Sequence, residues 1–166
     1  MRFAYADPPY LGCCSYYGHD HTDWGCWDDP LIQRALIVHL DFNYPDGWAL
    51  SLSSPSMAGI LPMCPGGVHV GAWVKSFASF KPNVNPGYCW EPVVFCGGRK
   101  LGRDTETVRD FIVEPITLQR GLTGAKPPAV CRWIARMLGY QDGDELVDIF
   151  PGTGVMERVL AQGVLL

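Results

Sequence analysis

Among the 166 residues, no apolar run reaches the roughly 18–20 residues that a membrane-spanning helix requires. The N-terminus carries no apolar segment of the signal-peptide kind, so no export is expected. Internal repeats and low-complexity tracts are also missing, which argues against solenoid and linker-like architectures. Charges are scarce at 18%, whereas 48% of residues are apolar, enough for one domain with a real core. The net charge of −4 gives no global case for binding a polyanion. Seven cysteines are present, an odd number, and no paired Cys-x-x-Cys signature of a zinc site is found. Free thiols in a reducing cytoplasm are the expected setting.

The stretch that stands out is Ala6-Asp7-Pro8-Pro9-Tyr10. It follows the apolar run Phe3-Ala4-Tyr5-Ala6, which reads as a buried strand. Two prolines, lacking N–H donors, should end that strand. Asp7 then sits at a strand's C-terminal end, the edge at which open α/β sheets bind ligands. The Asp7 carboxylate and the Pro8 carbonyl accept hydrogen bonds and Tyr10 offers a flat face, a combination suited to an amino group on a planar ring.

Residues 11–27 read as a long loop rich in glycine and aromatics, able to cover a ligand. Cys13 or Cys14, with His19, His21 and Cys26, would allow a zinc site there. The spacing favours packed rings and hydrogen-bonded histidines instead. Asp28-Asp29-Pro30 opens a helix with Leu31, Ala35, Leu36 and Val38 on its apolar face, ending near Asn43. Residues 48–53 read as a strand, and Ser54-Pro55 starts a short helix to Leu61. Residues 68–74 form a third strand. A fourth covers 90–96, where Pro92 places it at a sheet edge. Residues 97–109 form a basic loop, and 110–125 show no clear pattern.

Lys126-Pro127-Pro128 precedes a helix with Val130, Ile134 and Leu138 on one face and Gly139 at its end. Glu145 to Phe150 is the fifth strand. A Gly-rich turn, Pro151-Gly152-Thr153-Gly154, leads from it into a helix over 155–161. No lysine follows the second glycine, which excludes a P-loop. Strands alternating with helices predict an α/β sheet with much parallel pairing. Charge is distributed unevenly. Residues 1–74 hold two basic and seven acidic groups, 75–136 ten and five, and 137–166 one and five. A basic middle of this kind could face a polyanion or simply be a solvated surface.

Taken together, Asp7-Pro8-Pro9-Tyr10 and Phe150-Pro151-Gly152-Thr153-Gly154 resemble the two motifs of the S-adenosylmethionine-dependent amino-methyltransferases of adenine N6 and cytosine N4. Lys126-Pro127 before the last strand, Gly18-His19 and Trp90-Glu91-Pro92 also look like features of small members from phage and actinobacterial genomes. The resemblance covers most of the chain. It implies a Rossmann-like class I methyltransferase fold in permuted order, with the catalytic strand first and the cofactor strand last.

It further implies that Asp7 and the Pro8 carbonyl accept the two N–H bonds of the target amine, with Pro9 shaping the loop and Tyr10 stacking on the base for roughly 1–3 kcal/mol. Ala6, Lys126, Pro127, Asp148, Phe150, Pro151, Gly152, Thr153 and Gly154 would bind S-adenosylmethionine. His19, Lys81, Arg99, Lys100 and Arg103 would face the nucleic acid. Duplex DNA would have to flip its base, and the loop of residues 11–27 would close over it. Adenine in DNA is the expected target, with RNA adenine or DNA cytosine as alternatives; RNA-type relatives carry Trp where Tyr10 stands.

The chain departs from the family pattern in two places. A second acidic residue on the next strand usually holds the cofactor ribose, and here the sequence ends at Leu166 about where that strand would begin. The sheet is therefore expected to lack its far strands, with Glu157 or a partner subunit of a homodimer standing in. No separate recognition domain is present, so only residues 76–125 are left to read sequence. A non-catalytic nucleic-acid or partner-binding module on the same fold is the competing expectation.

Overall fold

Strand β1 (Arg2–Ala6) forms where the apolar run predicts it, and Phe3 to Ala6 are almost wholly buried. In the computed structural model, residues 1–14, 24–76, 85–116 and 125–163 are described, and the statements below concern these. After a single-turn 3-10 helix (Trp24–Asp28), helix α1 spans Pro30–Asn43. Its N-cap is Asp29, whose side chain accepts from the Leu31 N–H at 2.8 Å. Asp28 instead ties the preceding loop, accepting from the Gly12 N–H at 2.6 Å.

The buried face of α1 is Gln33, Leu36, Ile37 and Leu40, an i, i+3, i+4, i+7 set. The expected face was rotated from this. Leu31 and Val38 point outward at 70% and 59% exposure, because Gln33 turns inward to hydrogen-bond two carbonyls.

Strand β2 (Gly47–Ser51) runs parallel to β1. The short helix α2 (Met57–Ile60), extended by 3-10 turns on both sides, leads to β3 (His69–Val74). Strand β4 (Trp90–Gly97) is antiparallel to both β2 and β3. Strand β5 (Phe111–Val113), in the stretch without a sequence pattern, pairs parallel with β3. Helix α3 (Pro128–Met137), strand β6 (Glu145–Asp148) and helix α4 (Val155–Ala161) complete the chain.

The sheet order is β5-β3-β4-β2-β1-β6. Strand β4 is therefore central, which corrects the edge placement expected from Pro92. The proline is tolerated because it lies just past the last β2–β4 pair, Ser51 with Val93. There Leu52 still donates to the Pro92 carbonyl at 3.2 Å, and only the proline's own missing N–H interrupts the ladder.

Side chains alternate across the sheet. Phe3, Tyr5, Ala49, Trp73, Val93 and Phe95 face α3 and α4, with Val130, Ile134, Leu138 and Met156 packed over them. Ala4, Ala6, Trp48, Leu50 and Val94 face α1, with Leu36, Ile37 and Leu40. The result is an α/β/α arrangement in which the first and last strands of the chain lie side by side.

Candidate active site

Strand register gathers the site. Tyr5 of β1 lies opposite Asp148 of β6, and the Ile149 N–H donates to the Tyr5 carbonyl at 2.9 Å. Asp7 and Phe150 then leave neighbouring strands at the same edge. The period of two puts Tyr5 and Asp7, Ser51, Trp73 and Lys75, Glu91, and Asp148 on the α3 side of the sheet. That edge is the C-terminal end of the parallel strands, the end at which open α/β sheets bind ligands.

Lys126 is at the centre, reaching back from the residues before α3 with its side chain only 8% exposed. Its ammonium lies 2.8 Å from each Asp7 carboxylate oxygen and 2.8 Å from the Tyr10 hydroxyl. It is also 3.4 Å from Glu91 Oε2. The Tyr10 hydroxyl is held within 3.1 Å of Asp7 Oδ1 and 2.8 Å of Glu91 Oε2. The second oxygen of Glu91, Oε1, takes Lys75 Nζ at 2.5 Å. Two carboxylates and two ammonium groups thus neutralise one another in a part of the protein with little water.

Burial pushes the Asp7 carboxyl above its usual range against the pull of Lys126. Burial also raises the Tyr10 phenol well above its ordinary value, and the neighbouring Asp7 and Glu91 charges add to this. For Lys126, burial opposes the charge, but Asp7, Tyr10 and Glu91 outweigh it and the ammonium is held firmly protonated. Glu91 is likewise desolvated, yet Lys126 and Lys75 keep its carboxyl low.

The proline corner is fixed from the other face. Gln33 Nε2 of α1 donates to the Pro9 carbonyl at 3.1 Å and to the Trp27 carbonyl at 3.0 Å. Pro8 and Pro9 are buried.

Beside this corner, β6 ends and the Gly-rich turn begins. Gly152 and Gly154 have φ of +46° and +68°, conformations that favour glycine. A Cβ built on Gly152 meets only the Phe150 carbonyl, at 3.7 Å, so the backbone there can be approached closely. The Phe150 ring meets Trp27 edge-on at 5.1 Å, forming an apolar wall. Asp148 accepts from the Phe150 N–H at 3.1 Å, but burial still raises its carboxyl to about 6. A desolvated carboxylate beside an open glycine turn and an aromatic wall suits a ligand with a cationic group and a flat ring.

The structure brings together Ala6, Asp7, Pro8, Pro9, Tyr10, Lys126, Pro127, Asp148 and residues 150–154 from the residues singled out in the sequence. It places others elsewhere. Arg99 donates to both Asp144 oxygens, at 2.8 and 2.7 Å, and to the Gly139 carbonyl at 2.9 Å. These partners lie where β6 begins, at the edge of the sheet opposite Asp7. Lys100 and Arg103 are exposed on the same turn after β4, also at that opposite edge. His19, His21 and Lys81 fall outside the described residues.

Residues 76–125, expected to read substrate, contain the central strand β4 and the edge strand β5. Three contributors were given no role in the site from sequence, although Glu91 stood within the Trp90-Glu91-Pro92 feature. Glu91 had a readable signal, a charge within an otherwise apolar strand. Lys75 and Gln33 had none, because their roles depend on sheet order and helix rotation.

No protein-family model matches the chain, and no curated protein does. Solved structures do. M1.HpyAVI in complex with SAM has a TM-score of 0.60 at 16% identity, over 98% of this chain and 77% of that one. TTHA0409 of Thermus thermophilus, a candidate DNA modification methylase, has a TM-score of 0.61 at 17% identity, over 98% and 76%. Its complex with S-adenosyl-L-methionine has a TM-score of 0.56 at 16% identity, over 96% and 76%. The chain therefore has the Rossmann-like fold of these methyltransferase structures.

Proposed function

We propose that the protein is an S-adenosylmethionine-dependent amino-methyltransferase acting on the N6 amine of adenine in DNA. The observation that supports it most is the register of β1 and β6, which sets an acceptor-rich proline corner beside a Gly-rich turn. The fold, shared with structures titled as DNA methylases and as SAM complexes, supports the same reading.

Asp148, the Gly152–Gly154 turn and the Phe150 wall would hold the cofactor, which supplies a methyl group already activated on a sulfonium. The remaining task is positioning. Asp7 and the Pro8 carbonyl would accept the two N–H bonds of the amine. This draws the nitrogen lone pair out of conjugation with the ring and aims it at the methyl carbon. Tyr10, fixed through its hydroxyl, would stack on the base. After transfer the nitrogen carries one proton too many, and Asp7 is the hydrogen-bonded group placed to take it.

Titration with S-adenosylmethionine by calorimetry tests the cofactor half. Wild type should bind, Asp148→Ala should bind at least tenfold more weakly, and Gly152→Val should not bind, since a β-branched residue resists φ near +46°. No binding by wild type would rule out this function.

A further inference from the structure

The Lys126 ammonium sits, in this structure, on the Asp7 carboxylate to which the proposed reaction assigns one N–H of the target amine. It donates to both oxygens of Asp7 at 2.8 Å and to the Tyr10 hydroxyl at 2.8 Å, off the hydroxyl edge of the ring a base would stack on. A base amine arriving at Asp7 competes with Lys126 for the same two oxygens. Lys126 cannot leave for an apolar environment, because an unpaired buried ammonium is costly. A second acceptor is already in reach, since Glu91 Oε2 is 3.4 Å from the same nitrogen.

We propose that Lys126 is a displaceable stand-in for the substrate amine, and that Glu91 is the positioning residue that receives it when a base enters. The reading rests on the amino-methyltransferase function above. Charge is conserved in the exchange. Before entry, Lys126 is shared between Asp7 and Glu91. Afterwards, Asp7 accepts one neutral N–H of the amine and the Pro8 carbonyl the other, and Lys126 moves fully onto Glu91, which keeps Lys75 on its other oxygen.

Among the described residues, the charged or titratable groups facing the exchange come from several elements. Tyr10 and Tyr5 come from β1 and its loop, Glu91 from β4, Lys75 from the end of β3, Asp148 from β6 and Cys131 from α3. Until the amine arrives, Lys126 supplies Asp7 with a counter-charge, so the acceptor is ionised and aligned before the substrate is present.

The proposal separates bases by their amine. Binding is measured with saturating S-adenosylhomocysteine at pH 8, using a thymine oligonucleotide with one central adenine. The comparison is the same oligonucleotide with purine, which lacks the exocyclic amine, in the adenine position. Lys126→Met should bind the adenine strand at least fivefold tighter than wild type, with purine binding unchanged. Glu91→Gln should do the reverse, weakening adenine about tenfold and leaving purine unchanged, because Lys126 then has no second carboxylate. Far-ultraviolet circular dichroism and the melting temperature of both variants report that they fold.

If both variants shift adenine and purine alike, or Lys126→Met weakens adenine selectively, the exchange is wrong while the methyltransferase reading stands. If wild type fails to bind S-adenosylhomocysteine, or binds the adenine and purine strands equally, the reading of the site fails and the proposal with it.

Discussion

Asp148 carries the clearest pH signature among the site residues. Its carboxyl is raised to about 6 chiefly because burial disfavours the charge. The proposed ligand is cationic and needs the carboxylate. Affinity for S-adenosylmethionine should therefore be flat above about pH 7 and fall by about tenfold per pH unit well below the pKa. Calorimetry across pH 5–8 checks this, and Asp148→Asn should bind weakly with no such slope. The residues most legible from sequence are those that announce themselves locally. The prolines after Asp7 and the glycines after Phe150 break strands wherever they occur, so both motifs could be placed before any fold was known. The partners of Asp7 were less accessible. Lys126 lies 119 positions away in the chain, and its ion pair depends on where α3 begins over the sheet. Lys126 could be noted as part of a Lys-Pro pair, but not as the amine seated on Asp7.

Two contacts between elements hold the layers in place. Helix α3 meets the sheet where Trp133 packs against Gly71 of β3. A Cβ at Gly71 would come within 2.9 Å of the indole and 2.9 Å of the Asp110 carbonyl. Gly71→Ala should cost about 1–3 kcal/mol through overpacking, read as a Tm loss of about 2–4 °C per kcal/mol. At the opposite edge, Asp144 clasps the start of β1 to the turn after β4. It accepts from the N-terminal ammonium at 2.6 Å and from Arg99 at 2.7 Å. Partial desolvation works against its charge, but these hydrogen bonds prevail and hold its carboxyl at about 2. A carboxyl depressed in the folded state stabilises above its unfolded value of about 4, and that contribution is lost as pH falls toward 2. Wild type should therefore lose Tm between pH 4 and 2. Asp144→Asn should start lower at pH 7 and decline less over that interval. Element existence was largely readable from periodicity and caps, with β5 the exception. Three residues carry too little pattern to stand out, and β5 forms because β3 offers it an open parallel edge. The central place of β4 was hidden because a proline is ordinarily an edge signal, whereas here it falls just beyond a neighbour's last paired residue.

At the scale of the whole molecule, the described basic residues of the middle of the sequence do not form one patch facing the site. Lys75 and Lys126 reach the Asp7 edge but are paired with carboxylates. Arg99, Lys100 and Arg103 lie at the other edge of the sheet. The α/β class followed from strands alternating with helices, and a site built from both motifs requires the chain's first and last strands to meet. Sheet order did not follow, because it is set by the long-range packing of helices on two faces. The central claim is that Asp7, at the end of the first strand, presents an amine to a methyl group held at the end of the last. The direct measurement is transfer of labelled methyl from S-adenosylmethionine to unmethylated DNA, followed by digestion to nucleosides and identification of the labelled one. Wild type should yield N6-methyladenine, and Asp7→Ala should reduce it by at least a thousandfold while still binding the cofactor. Label in another nucleoside would contradict the adenine assignment, and undiminished transfer by Asp7→Ala would contradict the site itself.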